Sequence, residues 1–220
     1  MITFAGDEPA RELGAGGPRL AIGVTGHRDI AMDDERLRTT VVRELERLQG
    51  AALGQRPVVL SCLAEGADRL VARLAVDHLA AELVAVLPVH PRDYRRDFGS
   101  AASRREFDAL LATAGRRVTI DDRAAPTGGT PSDERARRYA LAGAWLVERS
   151  SVLVAIWDGK PARGVGGTAQ IVGWMVSGRI PRRYLPRAVS GEPALPRAPG
   201  RVVHIDPGTC RVAYLGGGAG

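Results

Sequence analysis

The sequence predicts an α/β fold: a Rossmann-like three-layer α/β/α sandwich with a mostly parallel sheet, plus a C-terminal β-hairpin appendage. Two observations predict it. Short runs of Val, Ile, Leu and Ala alternate along the chain with segments in which apolar residues recur every three or four positions. The short runs are apolar almost without interruption, which is typical of parallel strands that helices cover on both faces.

Three strand–helix units are predicted in the first half of the chain. The strand at 20–25 ends at Gly26, and either Asp33 or Asp34 caps the helix that follows. That helix carries apolar residues at helical spacing, namely Leu37, Val41, Val42, Leu45 and Leu48. The other predicted elements of this half are strands at 57–62 and 82–87 and helices at 67–76 and near 100–114.

The second half continues this alternation up to Gly178. Its predicted elements are a short strand at 117–120, a helix at 133–149, an apolar strand within 151–159 and a helix at 168–177. Residues 121–133 contain several glycines and prolines and form either a lid over a ligand pocket or a plain surface connection. Further on, a hairpin is predicted within 202–214, with its turn at 206–209.

One main domain is expected at 19–181. A flexible tail at 1–18 precedes it, and a Pro/Arg-rich segment with the hairpin and a glycine tail follows at 182–220. No apolar run approaches the roughly 18 residues that cross a bilayer. The N-terminus has no secretory signal, and the chain contains only two cysteines. These observations predict a reduced, cytoplasmic protein with no membrane partner.

The formal net charge of +6 raises the alternative of a nucleic-acid-binding module. Lys160 is the only lysine, and most arginines lie among acidic residues in the helices, which is typical of compositional bias from a GC-rich genome. Basic charge concentrates only in the Pro-rich segment, at Arg182, Arg183, Arg187, Arg197 and Arg201. Binding of nucleic acid is therefore the less favoured alternative.

The strand within 151–159 is followed by a glycine-rich loop that opens a helix. This loop contains Gly164, Gly166, Gly167 and Thr168. Glycines let backbone N–H groups approach an anion, and the N-terminus of a helix adds positive potential, so the pattern predicts a phosphate cradle. Its spacing matches neither the dinucleotide fingerprint nor a P-loop. Taken alone, a strand–helix turn that binds no ligand is equally compatible with it.

Three further loops join this one at a single edge of the sheet. Right-handed crossovers place the loops at 25–28, 63–68, 88–93 and 158–168 at the carboxyl ends of parallel strands. Open α/β sheets bind their ligands along that edge, at the switch point of the strand order. The candidate binding residues are Thr25, Gly26, His27, Arg28, Ala64, Glu65, Gly66, Asp68, Asp158, Gly159, Gly164, Gly166, Gly167 and Thr168.

The charged candidates have more than one possible role. Arg28 either anchors phosphate or ribose or forms a surface ion pair. Glu65 either accepts ribose hydroxyl groups or serves as the general base of N-glycosidic cleavage, which makes it the one candidate catalytic residue. Asp68 either contacts ribose or stabilises the first turn of its helix. Asp158 either binds ribose or a metal ion or caps a turn. No metal site is predicted, because His90 and Asp93 lack a third ligand.

Four motifs together resemble the SLOG superfamily. They are Gly23-Val-Thr-Gly-His-Arg28, Ser61-Cys-Leu-Ala-Glu-Gly-Ala-Asp68, Asp93-Tyr-Arg-Arg-Asp-Phe98, and Ala155-Ile-Trp-Asp-Gly159 with Gly164-Val-Gly-Gly-Thr168. This Rossmann-like group includes the LOG phosphoribohydrolases and the Smf-type DNA-processing proteins. The resemblance runs from about residue 20 to about 181 and is greatest to a bacterial branch that contains conflict-associated members.

The resemblance implies a domain that senses or processes a nucleotide, such as AMP, ADP-ribose or an NAD-like ligand, in bacterial defence or signalling. The chain departs from the LOG pattern at Ile171, which stands where LOG hydrolases have their catalytic glutamate. The LOG arginine has no clear counterpart, although Arg137 and Arg138 lie near its place, and Ser151 stands where related sequences often have Asp. The resemblance therefore implies ligand binding more directly than hydrolysis.

Two further expectations follow from these residues. The alternative enzymatic function is an N-glycosidase or phosphoribohydrolase of nucleoside monophosphates, in which Arg28 holds the phosphate and Glu65 is the base. Related folds often form homodimers through the helices beside the cradle. Trp145 and Trp174 are apolar residues that either serve such an interface or pack in the core.

Overall fold

The computed structural model describes residues 18–120, 130–161, 164–185 and 199–217. Most of the predicted loop at 121–133, nearly all of the predicted N-terminal tail and much of the Pro/Arg-rich segment, including Arg187 and Arg197, lie outside the described residues. The elements that surround the candidate site lie almost entirely within the described ranges.

A seven-stranded sheet forms the centre of the fold, with strand order β4-β3-β2-β1-β5-β6-β7. The first six strands in chain order are mutually parallel, and β7 pairs antiparallel to β6. The strands are β1 Arg19–Gly26, β2 Arg56–Ser61, β3 Glu82–Leu87, β4 Arg116–Thr119, β5 Val152–Ile156, β6 Arg201–Ile205 and β7 Val212–Leu215.

Helices cover both faces of this sheet. They are α1 Glu35–Ala51, α2 Ala67–Leu79, α3 Pro91–Tyr94, α4 Ala101–Thr113, α5 Pro131–Arg149 and α6 Thr168–Ser177. The buried residues of α1, α2, α3 and α4 pack on one face, and those of α5 and α6 pack on the other. Successive strand residues alternate between the two layers, as Ala21 and Ile22 do. The predicted three-layer α/β/α fold is confirmed.

The helix starts follow from local capping. Asp34, not Asp33, caps α1: its Oδ1 accepts from the backbone N–H groups of Arg36 at 2.8 Å and Leu37 at 3.4 Å. Helix α5 begins two residues before the predicted Asp133, because Thr130 and Asp133 form a capping box and proline suits the first helical position.

The C-terminal hairpin is confirmed, and it extends the central sheet. Strand β6 pairs parallel to β5, with Val154 opposite Val203, and β7 completes the edge. The turn lies at the predicted 206–209, where Oδ1 of Asp206 accepts from the N–H groups of Gly208 and Thr209 at 3.1 and 2.7 Å. Among the described helices, none has the length and apolar character that a membrane span requires.

The strand order reverses beside β1. The chain proceeds outward from β1 through β2 and β3 to β4, and β5 then returns to the opposite side of β1. Gly26 and Ile156 lie opposite each other at the ends of β1 and β5. The loops after these two strands therefore diverge onto opposite faces of the sheet, and a crevice opens between them.

Candidate functional site

A pocket of about 630 Å³ lies at this switch point. The turn after β1, the loop after β5, the start of α6 and the first half of α5 form its walls. We call it the cradle pocket and define it by residues 26–29, residues 157–161 without Gly159, residues 164–169, and Ser132, Arg135, Ala136 and Tyr139. Its size is within the range of small-molecule sites.

The N-terminus of α6 opens into the cradle pocket without a side-chain cap. Gly167 is the N-cap residue, with extended φ −74° and ψ 160°, and it has no side chain to accept from the first N–H groups. The N–H groups of Thr168 and Ala169 have no acceptor within the helix, and both residues line the pocket. These donors and the helix dipole together favour an anion at this position.

The two glycines that precede Gly167 differ in what the backbone requires. Gly166 has φ +81°, and a Cβ there would lie 2.9 Å from the backbone nitrogen of Ala140, so this position needs glycine. Its N–H donates to Oε1 of Gln170 at 2.6 Å and is therefore already engaged. A Cβ on Gly164 would meet nothing within 4 Å. The donors open to an anion are thus at Thr168 and Ala169.

Arg28 lines the cradle pocket. Among the described residues, no carboxylate lies within ion-pair range of its guanidinium. Its guanidinium carbon lies 5.2 Å from the centre of the Tyr139 ring, and the Tyr139 hydroxyl donates to Asp97. Burial is the largest single influence on the pKa of Arg28 and lowers it, but Tyr139, Tyr94 and Asp68 together raise that pKa above its ordinary value, so the guanidinium stays charged. The alternative role in a surface ion pair is not seen in the described part of the chain.

Asp158 is held by two basic residues of the cradle pocket. Nζ of Lys160 lies 2.8 Å from its Oδ2, and Nε2 of His27 lies 3.6 Å from its Oδ1. The backbone N–H of Lys160 also donates to Oδ1 of Asp158 at 3.1 Å and closes a turn. Gly159, between these two residues, has φ +75°. Hydrogen bonds from Lys160 lower the pKa of Asp158. This geometry agrees with the turn-capping role.

Glu65 lies in a second pocket, of about 520 Å³, on the other side of Arg28. We call it the Glu65 pocket; its lining residues are Arg28, Ile30, Met32, Glu65, Gly66, Arg69, Arg73, Ala102, Ser103 and Glu106. Arg28 lines both pockets. The predicted site residues therefore divide into a cradle group and a Glu65 group, which meet at Arg28. Thr25, Ala64, Asp68 and Gly159 line neither pocket.

Asp68 is a buried carboxyl group beneath the loop between β2 and α2. It is 5% exposed, and its Oδ2 accepts from the Ala64 N–H at 3.4 Å. Ser61, the last residue of β2, donates to the Asp68 carbonyl oxygen and accepts from the Leu63 N–H. Burial raises the pKa of the Cys62 thiol, which makes a nucleophilic thiolate less accessible. The hydrogen bonds of Asp68 and Ser61 therefore hold the backbone of this loop in place.

The stability of the protein is expected to depend on the titration of Asp68. Burial raises its pKa to about 7, from 3.8 for an ordinary Asp. Between these values Asp68 holds more protons in the folded state than in the unfolded state, so its contribution to the free energy of unfolding decreases as pH rises from about 4 to about 7. In chemical denaturation, the difference in the free energy of unfolding between Asp68→Asn and the wild type should shift in favour of the variant as pH rises through this interval. The total shift should be up to about 4 kcal/mol. A difference that does not change with pH would contradict the shift.

Several pocket residues were missed in the sequence. Tyr139 and Arg135 lie four residues apart on α5 and therefore share the helix face that lines the cradle pocket. Arg135 pairs with Asp97, with 3.1 Å between Nε and Oδ2. Lys160 has one detectable signal, since it is the only lysine of the chain. Trp145 and Trp174, by contrast, are buried in the core on the α5 and α6 side.

A comparison of the sequence with protein-family models found no match, and a comparison with curated proteins found none either. The described residues also contain no group of three or more His, Cys, Asp or Glu side chains arranged to hold a metal ion.

Proposed function

We propose that this protein is a nucleotide-binding domain of the SLOG type, which binds the phosphate of a nucleotide or of an NAD- or ADP-ribose-derived ligand in the cradle pocket. One observation carries the proposal. The uncapped N-terminus of α6 and the guanidinium of Arg28, which has no carboxylate partner among the described residues, line the same pocket at the switch point. An anion would satisfy both at once.

The other charges of the pocket support the same ligand chemistry. Arg135 and Lys160 add positive charge to its rim, although Asp97 and Asp158 partly neutralise them. The side chain of Lys160 is 69% exposed, so it can reach a bound phosphate. Half-buried Tyr139 adds an aromatic wall against which a base or sugar could pack.

Binding is better supported than hydrolysis. Ile171, at the place of the LOG glutamate, is 3% exposed and points at α5, because a Cβ on Gly143 would lie 2.2 Å from its Cδ1. Glu65, the one candidate base, lines the second pocket and not the cradle pocket. These positions favour a ligand sensor over a hydrolase, and a test for release of the base distinguishes the two functions.

Calorimetric titration with AMP, combined with chromatography for released adenine, tests the proposal. We expect saturable binding at one site per chain without release of the base. Binding with steady base release that Glu65→Gln abolishes would instead identify the N-glycosidase. The absence of binding by AMP, ADP-ribose and NAD alike would contradict the proposed function.

Two substitutions at the N-cap of α6 sharpen this test. The extended backbone of Gly167 suits both Asp and Asn as N-cap residues, so each should maintain or increase the stability of α6. Only Asp places a negative charge in the cradle. Gly167→Asp should therefore weaken AMP binding at least about tenfold more than Gly167→Asn, since each 1.4 kcal/mol of repulsion corresponds to one power of ten. Equal effects of the two variants would contradict an anion at this helix end.

A further inference from the structure

The Glu65 pocket contains two opposite charges that lack ionic partners. No basic side chain of the described residues lies in ion-pair range of Glu65, and no carboxylate lies in that range of Arg28. Both nevertheless line the same pocket and do not pair with each other. A half-buried carboxylate without a cation needs hydrogen-bond donors, and those that the protein does not provide must come from water or a ligand.

A buried framework holds Glu65 in place. The side chain of Arg69 is 1% exposed, and its Nε and Nη1 donate to the carbonyl oxygens of Leu63 and Ser103, both at 3.0 Å. The Ser103 hydroxyl in turn donates to Oε1 of Glu65. The framework therefore fixes the loop that carries Glu65 against α4.

The second acid of the pocket is fully occupied. Glu106 binds Arg69 through Oε2 at 3.0 Å and Arg73 through Oε1 at 2.5 Å. The charge of Glu106 is therefore neutralised by these two arginines. Glu65, by contrast, receives only a neutral hydroxyl donor among the described residues. Glu65 is thus the acceptor in this pocket that is available to a ligand.

These features define the chemistry of the group that would fit. A carboxylate accepts hydrogen bonds from paired hydroxyl groups, and the guanidinium beside it binds phosphate. Ile30 and Met32 are half-buried and supply an apolar wall for a sugar ring. A volume of about 520 Å³ has room for a sugar. The arrangement fits a sugar whose phosphate lies at Arg28.

We propose that the ligand crosses Arg28 and places a second sugar in the Glu65 pocket, where the carboxylate of Glu65 accepts its hydroxyl groups. The ligand class is then a nucleoside diphosphate whose terminal phosphate carries a sugar, with the first nucleotide in the cradle pocket. This inference rests on the proposed function, because the first phosphate must bind in the cradle.

Calorimetric titration with ADP and ADP-ribose tests the second pocket, since these ligands differ by the terminal ribose. ADP carries more negative charge, so phosphate binding alone favours ADP. We expect ADP-ribose to bind more tightly by about tenfold, the usual effect of a hydrogen bond to a charged group. Equal affinities, or tighter binding of ADP, would overturn the second-sugar inference while leaving the proposed function intact. If neither ligand binds, the proposed function itself fails.

Two variants of the Glu65 pocket locate the effect. Ala102 is exposed in the first turn of α4 and lines this pocket, so Ala102→Trp should fill it and remove the preference for ADP-ribose over ADP. Glu65→Gln keeps the shape of the side chain and should reduce the ratio of the two affinities about tenfold. Asp108→Asn, on the same helix but outside the pocket lining, is the control and should preserve the ratio. A preference for ADP-ribose that survives Ala102→Trp would overturn the inference.

Discussion

Replacing Gly66 with alanine is expected to destabilise the protein by about 3 kcal/mol or more, because strain and steric overlap act together there. Gly66 has φ +76° and ψ −123°, a conformation that residues with a Cβ rarely adopt. A Cβ would lie 2.4 Å from the carbonyl oxygen of Arg28 and 2.5 Å from that of His27. Both contacts are backbone atoms, so relief requires movement of the turn that presents Arg28 to the pockets.

Chemical denaturation of Gly66→Ala beside Gly50→Ala measures this effect. Gly50 lies within α1, and a Cβ there would meet nothing within 4 Å, so its replacement should stabilise the helix by about 0.5–1 kcal/mol. We also expect weaker AMP binding by Gly66→Ala at temperatures where it remains folded. A stability within about 0.5 kcal/mol of the wild type, the usual range of surface substitutions, would contradict the role assigned to Gly66.

Replacing Arg28 with glutamine is expected to weaken AMP binding about 100-fold while leaving stability almost unchanged. Loss of two charge-assisted hydrogen bonds to phosphate accounts for this magnitude. The side chain makes no ion pair with a described carboxylate, and the buried Asp68, whose pKa Arg28 lowers, can hold a proton when this charge is removed. The lost cation–π contact with Tyr139 should cost about 1 kcal/mol or less.

Arg96→Gln is the matched control for Arg28→Gln. Its side chain is 80% exposed, pairs with Asp93 and lines neither pocket, and its replacement changes the net charge by the same amount. If general electrostatic attraction drives AMP binding, both variants should lose similar affinity at low salt. We expect a large loss for Arg28→Gln alone. Equal losses would contradict a specific role of Arg28.

For some elements the bounds predicted from the sequence match the observed bounds, because local signals mark both ends of the element. Helix α6 was predicted at 168–177 and is found there, since Gly167 precedes it and Gly178 ends it in the left-handed conformation at φ +67°. Strand β3 was likewise predicted as observed, at 82–87. The site edge followed from topology, because right-handed crossovers send every strand-to-helix loop to one side.

The division of the site into two pockets could not be predicted in this way. Glu65 and the cradle lie on the same sheet edge, but only the three-dimensional structure shows that Arg28 stands between them. The capture of the Gly166 N–H by Gln170 depends on one side-chain conformation. The contact between Ser103 and Glu65 joins residues 38 positions apart, for which no local pattern exists.

The central claim is that an anionic nucleotide binds between β1 and β5, at the N-terminus of α6. Backbone amide signals followed by nuclear magnetic resonance during the AMP titration test it most directly. We predict that the largest shifts occur at Thr168, Ala169 and His27, and that they saturate with the affinity measured by calorimetry. Saturating shifts confined to other surfaces, such as Arg182 and Arg183 or the exposed face of α1, would contradict the claim.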